Sequence, residues 1–138
     1  YGLADDLVAR CENDSADGRR AATALLDLSA APTALVCVSD VIALGCLSEL
    51  AVRGLRPGRD VAVAGFDDAP FAALPGIDLT SVQQPIEHAG ADVVRLLVNA
   101  LAGNTTEKKH ILLAPSLRVR SSTILSGDPN SPRGTHTS

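Results

Sequence analysis

Four polar residues stand directly behind four apolar runs of the sequence: Asn13 behind Leu7 to Cys11, Ser39 behind Ala34 to Val38, Asp67 behind Asp60 to Gly65, and Gln84 behind Leu79 to Gln83. An amide, a hydroxyl, a carboxylate and a second amide supply both donors and acceptors. That set suits a small ligand rich in hydroxyl or ring-nitrogen groups. No nucleophile, base and orienter stand together behind these runs, so recognition fits them better than bond-making. Each residue also has a plainer reading. Ser39 with Asp40 makes an N-cap followed by a first-turn acid, and Asp68 next to Asp67 is placed to cap a following helix. Asn13 sits in the polar run Glu12-Asn13-Asp14-Ser15, which fits a solvated turn, and Gln84 before Pro85 fits a residue that holds a backbone crossover.

The elements that would position these residues follow from the spacing of apolar side chains. Leu7 to Cys11 reads as a short strand, and Asp17-Gly18-Arg19-Arg20 leads into a helix with Ala21, Ala24, Leu25 and Leu28 on one face. Ala34 to Val38 is a second strand, followed by a helix carrying Val41, Ile42, Leu44, Leu47, Leu50 and Ala51 and stopped by Gly54. Asp60 to Gly65 and Leu79 to Gln83 give two more strands. Pro85 then opens the clearest helix, with Ile86, Ala89, Val93, Leu97, Ala100 and Leu101 on one face and Gly103-Asn104 at its end. Lys109 to Leu113 and Leu117 to Ser121 read as closing strands. Near-continuous apolar strands alternating with helices predict an α/β fold, a parallel sheet with helices on both faces. In such sheets ligands gather beyond the carboxyl ends of the strands, which would bring Asn13, Ser39, Asp67 and Gln84 to one crevice.

Composition narrows the function. The 138 residues are 46% hydrophobic and 20% charged, enough for one packed domain. Twelve basic against sixteen acidic residues leave a formal charge of −4, which offers no counter-charge to a nucleic-acid backbone. No apolar run approaches a membrane span, and the first residues carry no export pattern. Cys11, Cys37 and Cys46 are odd in number and lie in apolar settings, which fits free thiols in a reducing cytoplasm. The cysteine spacings match no metal-ligand pattern, and His88, His110 and His136 read as isolated. No phosphate-binding loop, nucleophile elbow or metalloprotease motif occurs, so no cofactor, metal or catalytic residue is expected. From Ser126 onward there is no apolar residue, and that tail is expected to be disordered. The chain contains no methionine, from which these residues are expected to be a piece of a longer or processed product.

Several blocks carry a family resemblance. Pro32-Thr33-Ala34-Leu35-Val36-Cys37-Val38-Ser39-Asp40-Val41-Ile42-Ala43-Leu44-Gly45 and Gly54 to Asp68, ending in Gly65-Phe66-Asp67-Asp68, resemble the effector-binding domain of LacI/GalR-type bacterial transcription regulators. Leu79 to Pro85 and the closing Leu117-Arg118-Val119-Arg120-Ser121-Ser122-Thr123 match two further blocks of the family. The resemblance implies a periplasmic-binding-protein-like type I fold of two α/β subdomains joined by three crossovers, present here incompletely. Residues 1–84 would be most of the C-terminal subdomain, 85–113 a segment of the N-terminal subdomain, 114–124 the return strand and 125–138 the tail. It also implies that Asp67 hydrogen-bonds the ligand, that Ser39 stands where many members have asparagine, and that Gln84 is a crossover residue near the ligand. Asn13 stands where several members place an aromatic ring, and the chain's aromatics are only Tyr1, Phe66 and Phe71. The resemblance further implies a homodimer through the helix after Asp40 and the segments near Asp14 to Arg19 and Pro70 to Leu74.

The expected function is therefore the effector-sensing part of a cytoplasmic regulator, binding a sugar-like or nucleoside-like small molecule. Operator DNA would be reached only through an N-terminal headpiece that these residues do not include. A periplasmic sugar-binding protein of a transport system shares the fold and is the alternative; an enzyme is a third class. The helix from Pro85 would lack its usual packing partner, so its apolar face must fold back on the sheet or mediate association between copies.

Overall fold

A computed structural model of the chain describes residues 7–104 and 110–124. Helix α1, Ser15–Leu26, starts where the Asp14 carboxylate accepts the amide of Asp17 at 2.7 Å. Strand β1, Ala34–Val36, leads to α2, Asp40–Val52, whose first turn is capped by Ser39 Oγ accepting from the Ile42 amide. Strand β2, Ala62–Phe66, is followed by a 3-10 turn at Pro70–Ala73, then β3, Thr80–Gln83, and α3, Ile86–Leu101. Strand β4, Ser116–Arg118, and a 3-10 turn at Ser121–Thr123 close the described chain.

The sheet runs in the order β1-β2-β3-β4, with β1, β2 and β3 parallel and β4 antiparallel to β3. An α/β sheet flanked by helices was expected, but a wholly parallel one was not obtained: the chain returns from α3 in the opposite sense and fills the β3 edge. The core lies between the sheet and α2. Leu35, Cys37, Val63 and Leu79 meet Ile42, Ala43, Cys46 and Leu50 there, and α1 lies against α2. That helix crossing is close because Gly18 and Gly45 stand at it. A Cβ on Gly18 would collide with the carbonyl of Ile42, and one on Gly45 with the carbonyl of Ser15.

Three other expectations fail for identifiable reasons. Leu7 to Cys11 finds no ladder partner among the described residues and forms no strand, although Cys11 packs against the core. Residues 110–113 are irregular, with Leu112 98% exposed, while Lys109 lies outside the described residues. Helices do not cover both sheet faces among the described residues: Leu35 and Cys37 are buried, whereas Val36 and Val38 of the opposite face are 86% and 81% exposed. Helix α3 does not fold back onto that face, and none of its residues is buried. The expected tail and His136 lie outside the described residues.

The return segment is fastened by its hydroxyl groups. Ser122 Oγ donates to the carbonyl of Val63 at 2.6 Å and accepts the Thr80 amide at 2.8 Å, bridging β2 and β3 from a fully buried position. Thr80 Oγ1 accepts the Arg120 amide at 2.7 Å. These bonds satisfy backbone groups that would otherwise be left without partners in the interior.

Candidate functional site

Just past β2, Asp67 and Asp68 take positive φ angles of 115° and 52°, a region that non-glycine residues rarely enter. The two carboxylates then part company. Asp67 is exposed, and its Oδ1 accepts one hydrogen bond, from Gln84 Nε2 at 2.8 Å. Asp68 is largely buried. Its Oδ1 receives Arg120 Nη2 at 2.6 Å, and Arg118 Nε lies 3.9 Å from its other oxygen. Arg120 is fixed in turn by donating through Nη1 to the carbonyl of Leu79 at 2.6 Å. The capping reading of Asp68 is thus replaced by an ion pair: the 3-10 turn that follows begins at Pro70 with no side-chain cap.

Asp67 and Gln84 border a crevice of about 450 Å³ whose other walls include Pro85, Glu87, His88 and Ser116. It mixes carboxylate, amide, imidazole and hydroxyl groups at the C-terminal ends of β2 and β3. His88, expected to be isolated, is therefore a wall of this crevice. Neither Phe66 nor Phe71 lines it, and Tyr1 lies outside the described residues, so hydrogen bonding rather than ring stacking is what the described walls offer.

Ser39 and Asn13 form a separate pair. Ser39 Oγ donates to Asn13 Oδ1 at 2.5 Å while capping α2, and it is 5% exposed. Asn13 is exposed, directly before the Asp14 cap of α1. The described hydrogen bonds join Asp67 to Gln84 and Ser39 to Asn13, and none joins the two pairs. Asp40 also departs from its plain reading. Its carboxylate turns away from the amides of α2 and reaches Ser81 and Ala69. The Arg118, Arg120 and Ser81 contacts were not foreseen; the only signal was the closing block itself, since no local pattern announces a partner 41 or 52 residues away.

Elsewhere, Glu49 lies buried on α2 and accepts from Arg53 Nε at 2.8 Å and Arg19 Nε at 3.0 Å. Arg53 and then Arg19 hold its carboxyl below the usual carboxylate range. Arg19 and Glu49 line a groove of about 1050 Å³ along α1 and α2, whose walls also include the half-buried Leu44, the buried Leu47 and the exposed Ala51. All three cysteines are free. The Cys37 and Cys46 sulfurs are 3.6 Å apart, and this hydrogen bond together with burial pushes the Cys37 thiol up. Among the described residues no cluster suits a metal ion, and no helix is long and apolar enough to cross a membrane.

A sheet of three parallel strands and one antiparallel edge strand, with Ser39, Asp67 and Gln84 beyond the carboxyl ends of β1, β2 and β3, fits an α/β fold of the periplasmic-binding-protein-like type. The family model described as "Periplasmic binding protein-like domain" matches residues 2–123. The chain is similar to the HTH-type transcriptional regulator MalR of Streptomyces coelicolor, with 38% identity over 77% of this chain and 30% of MalR. Among solved structures, a regulatory protein of the LacI family from Chloroflexus aggregans superposes with a TM-score of 0.80 at 41% identity, over 88% of this chain and 44% of that one. The transcriptional regulator CelR in complex with cellobiose gives 0.81 at 36%, over 88% of this chain and 37% of that one. The chain belongs to the periplasmic-binding-protein-like domain family, as a fragment of the LacI/GalR-type effector-binding domain. It spans about a third of the length of the curated relatives it matches. Those relatives are transcriptional regulators rather than enzymes, and the transport alternative is not favoured.

Proposed function

We propose that this chain is the ligand-sensing part of a cytoplasmic LacI/GalR-type regulator, and that the crevice at Asp67 and Gln84 binds a hydroxyl-rich, sugar-like or nucleoside-like effector. The observation that carries the reading is the contrast at Asp67. Both adjacent carboxylates at the end of β2 border the crevice, but Asp68 is consumed by Arg120, whereas Asp67 is exposed and has a single amide partner among the described residues. An anionic acceptor held in that manner can take hydrogen bonds from ligand hydroxyls. Asn13 and Ser39 are further effector contacts in this reading, a separate hydrogen-bonded pair outside the lining of that crevice, with Asn13 the more accessible of the two.

In this reading residues 1–84 and 114–124 make one wall of the effector cleft, and 85–113 belongs to the other subdomain of the complete protein. The exposure of Ile86, Val93, Val94, Leu97, Val98 and Leu101 supports that division, because a helix with such a face is built to be covered. Two copies pair through the groove beside Leu44, Leu47 and Ala51, with the Arg19, Glu49 and Arg53 ion network at its edge. Effector binding alters the angle between subdomains and so the presentation of DNA-reading headpieces that other parts of the protein supply.

Calorimetric titration of the complete regulator with cellobiose, maltose and a set of ribonucleosides tests the site. One member of the panel should bind, and Asp67→Ala should weaken it at least about tenfold, the worth of one charge-assisted hydrogen bond. Undiminished affinity in Asp67→Ala would remove Asp67 from the site.

A further inference from the structure

Asp40 is 1% exposed, and both of its oxygens are spent away from its own helix. Oδ1 accepts from Ser81 Oγ at 2.6 Å and Oδ2 accepts the Ala69 amide at 2.7 Å. Ser81, fully buried on β3, accepts the Asp68 amide on the same oxygen at 3.0 Å. The next amide back, that of Asp67, donates to the carbonyl of Val82 at 2.9 Å and so continues the β2–β3 ladder. Three successive amides are therefore fixed, one by the ladder and two by the Asp40–Ser81 pair. They span the two residues whose φ angles are positive. Backbone in this region persists only where its surroundings over-determine it. Room for the device comes from Gly65, which pairs with Ser81 across the sheet and whose Cβ would collide with Asp40 Oδ1.

We infer that Asp40, acting with Ser81, is a positioning residue for Asp67: it locks the turn after β2 in the left-handed form that turns Asp67 toward Gln84 and the crevice and leaves Asp68 to Arg120. A first-turn acid that merely complemented the helix dipole would not need both oxygens on another element. The inference takes its biological meaning from the proposed effector site, but its geometry is readable without a ligand. Gln84 Nε2 bonds Asp67 Oδ1, so the side-chain amide of Gln84 reports where Asp67 points.

The test uses the full 138-residue chain labelled with 15N, with the Gln84 side-chain signals identified by their loss in Gln84→Ala and the broken-bond position set by Asp67→Ala. Ser81→Ala and Asp40→Ala should move those signals to the Asp67→Ala position. Asp40→Asn keeps one of the two acceptor oxygens, enough for either Ser81 Oγ or the Ala69 amide but not both, and should move the signals less far than Asp40→Ala. A folded Ser81→Ala chain with wild-type Gln84 signals would overturn the inference, and it decides the matter alone if Asp40→Ala does not fold. Should Ser81→Ala shift the signals while Asp67→Ala leaves effector affinity unchanged in the titration above, the positioning role stands and the effector-site reading falls.

Discussion

Helices α2 and α3 make opposite use of their apolar residues. In α2 Ile42, Ala43, Cys46, Leu47 and Leu50 are buried between the sheet and α1, together with Asp40, Gly45 and Glu49. Helix α3 is the longer of the two and carries the plainer amphipathic stripe, yet it buries nothing and leaves Leu101 80% exposed. The difference teaches that an apolar stripe states that a helix needs a partner, not where in the polypeptide the partner is encoded. α2 meets strands that flank it in sequence. α3 leaves the sheet after Gln83, and the chain comes back to it only at Ser116.

The largest expected effect tests that contrast directly. Leu50→Ala removes a fully buried side chain and should lower unfolding free energy by about 2–5 kcal/mol in urea titrations. Leu97→Ala, at 57% exposure, should change it by less than about 0.5 kcal/mol. Similar losses from both would mean that α3 is packed in solution after all.

Next in size is the pair that ties the returning segment to the packed half. Asp68→Ala leaves the Arg120 guanidinium, itself 16% exposed, without its carboxylate. Because both groups retain some solvent, the cost should be about 2 kcal/mol, under the range for fully buried pairs. Asp67→Ala, whose carboxylate is exposed, should stay within about 0.5 kcal/mol of wild type. Equal destabilisation by the two would erase the division of labour between the neighbouring acids.

The smallest effect is on acid stability. Since Arg53 and Arg19 lower the Glu49 carboxyl in the folded chain, its contribution is complete above the ordinary glutamate value of about 4.3 and is lost as pH falls through the lower folded value. Glu49→Gln should therefore be less stable than wild type near neutrality, and the gap should narrow below about pH 4. Circular dichroism during acid titration measures it, and parallel profiles for the two chains would detach this ion network from the stability of the α1–α2 layer.

Much of the fold was legible because local periodicity and secondary structure agree. Ala34 to Val38, Asp60 to Gly65 and Leu79 to Gln83 are apolar runs bounded by turn residues, and β1, β2 and β3 fall within or against them. The Ser39 cap was legible for the same reason, since its partner lies three residues away. Leu7 to Cys11 misled because an apolar run of strand length becomes a strand only beside a free ladder edge. Of the candidate site, Asp67 and Gln84 were found as strand-end residues, and their mutual bond was not, because nothing local links positions 67 and 84.

By itself, then, the sequence determined the three helices, the strands β1, β2 and β3, the placing of Ser39, Asp67 and Gln84 just behind those strands, and the family to which the blocks belong, all properties carried by neighbours within a few residues. Only the tertiary structure decided that Asp68 pairs with Arg120, that Asp40 grips the turn through Ser81, and that α3 stays uncovered. Those outcomes depend on which distant groups compete for a buried charge or an apolar face. A carboxylate taken out of water must take whichever donors the fold brings within reach, and that choice is made across the sheet rather than along the chain.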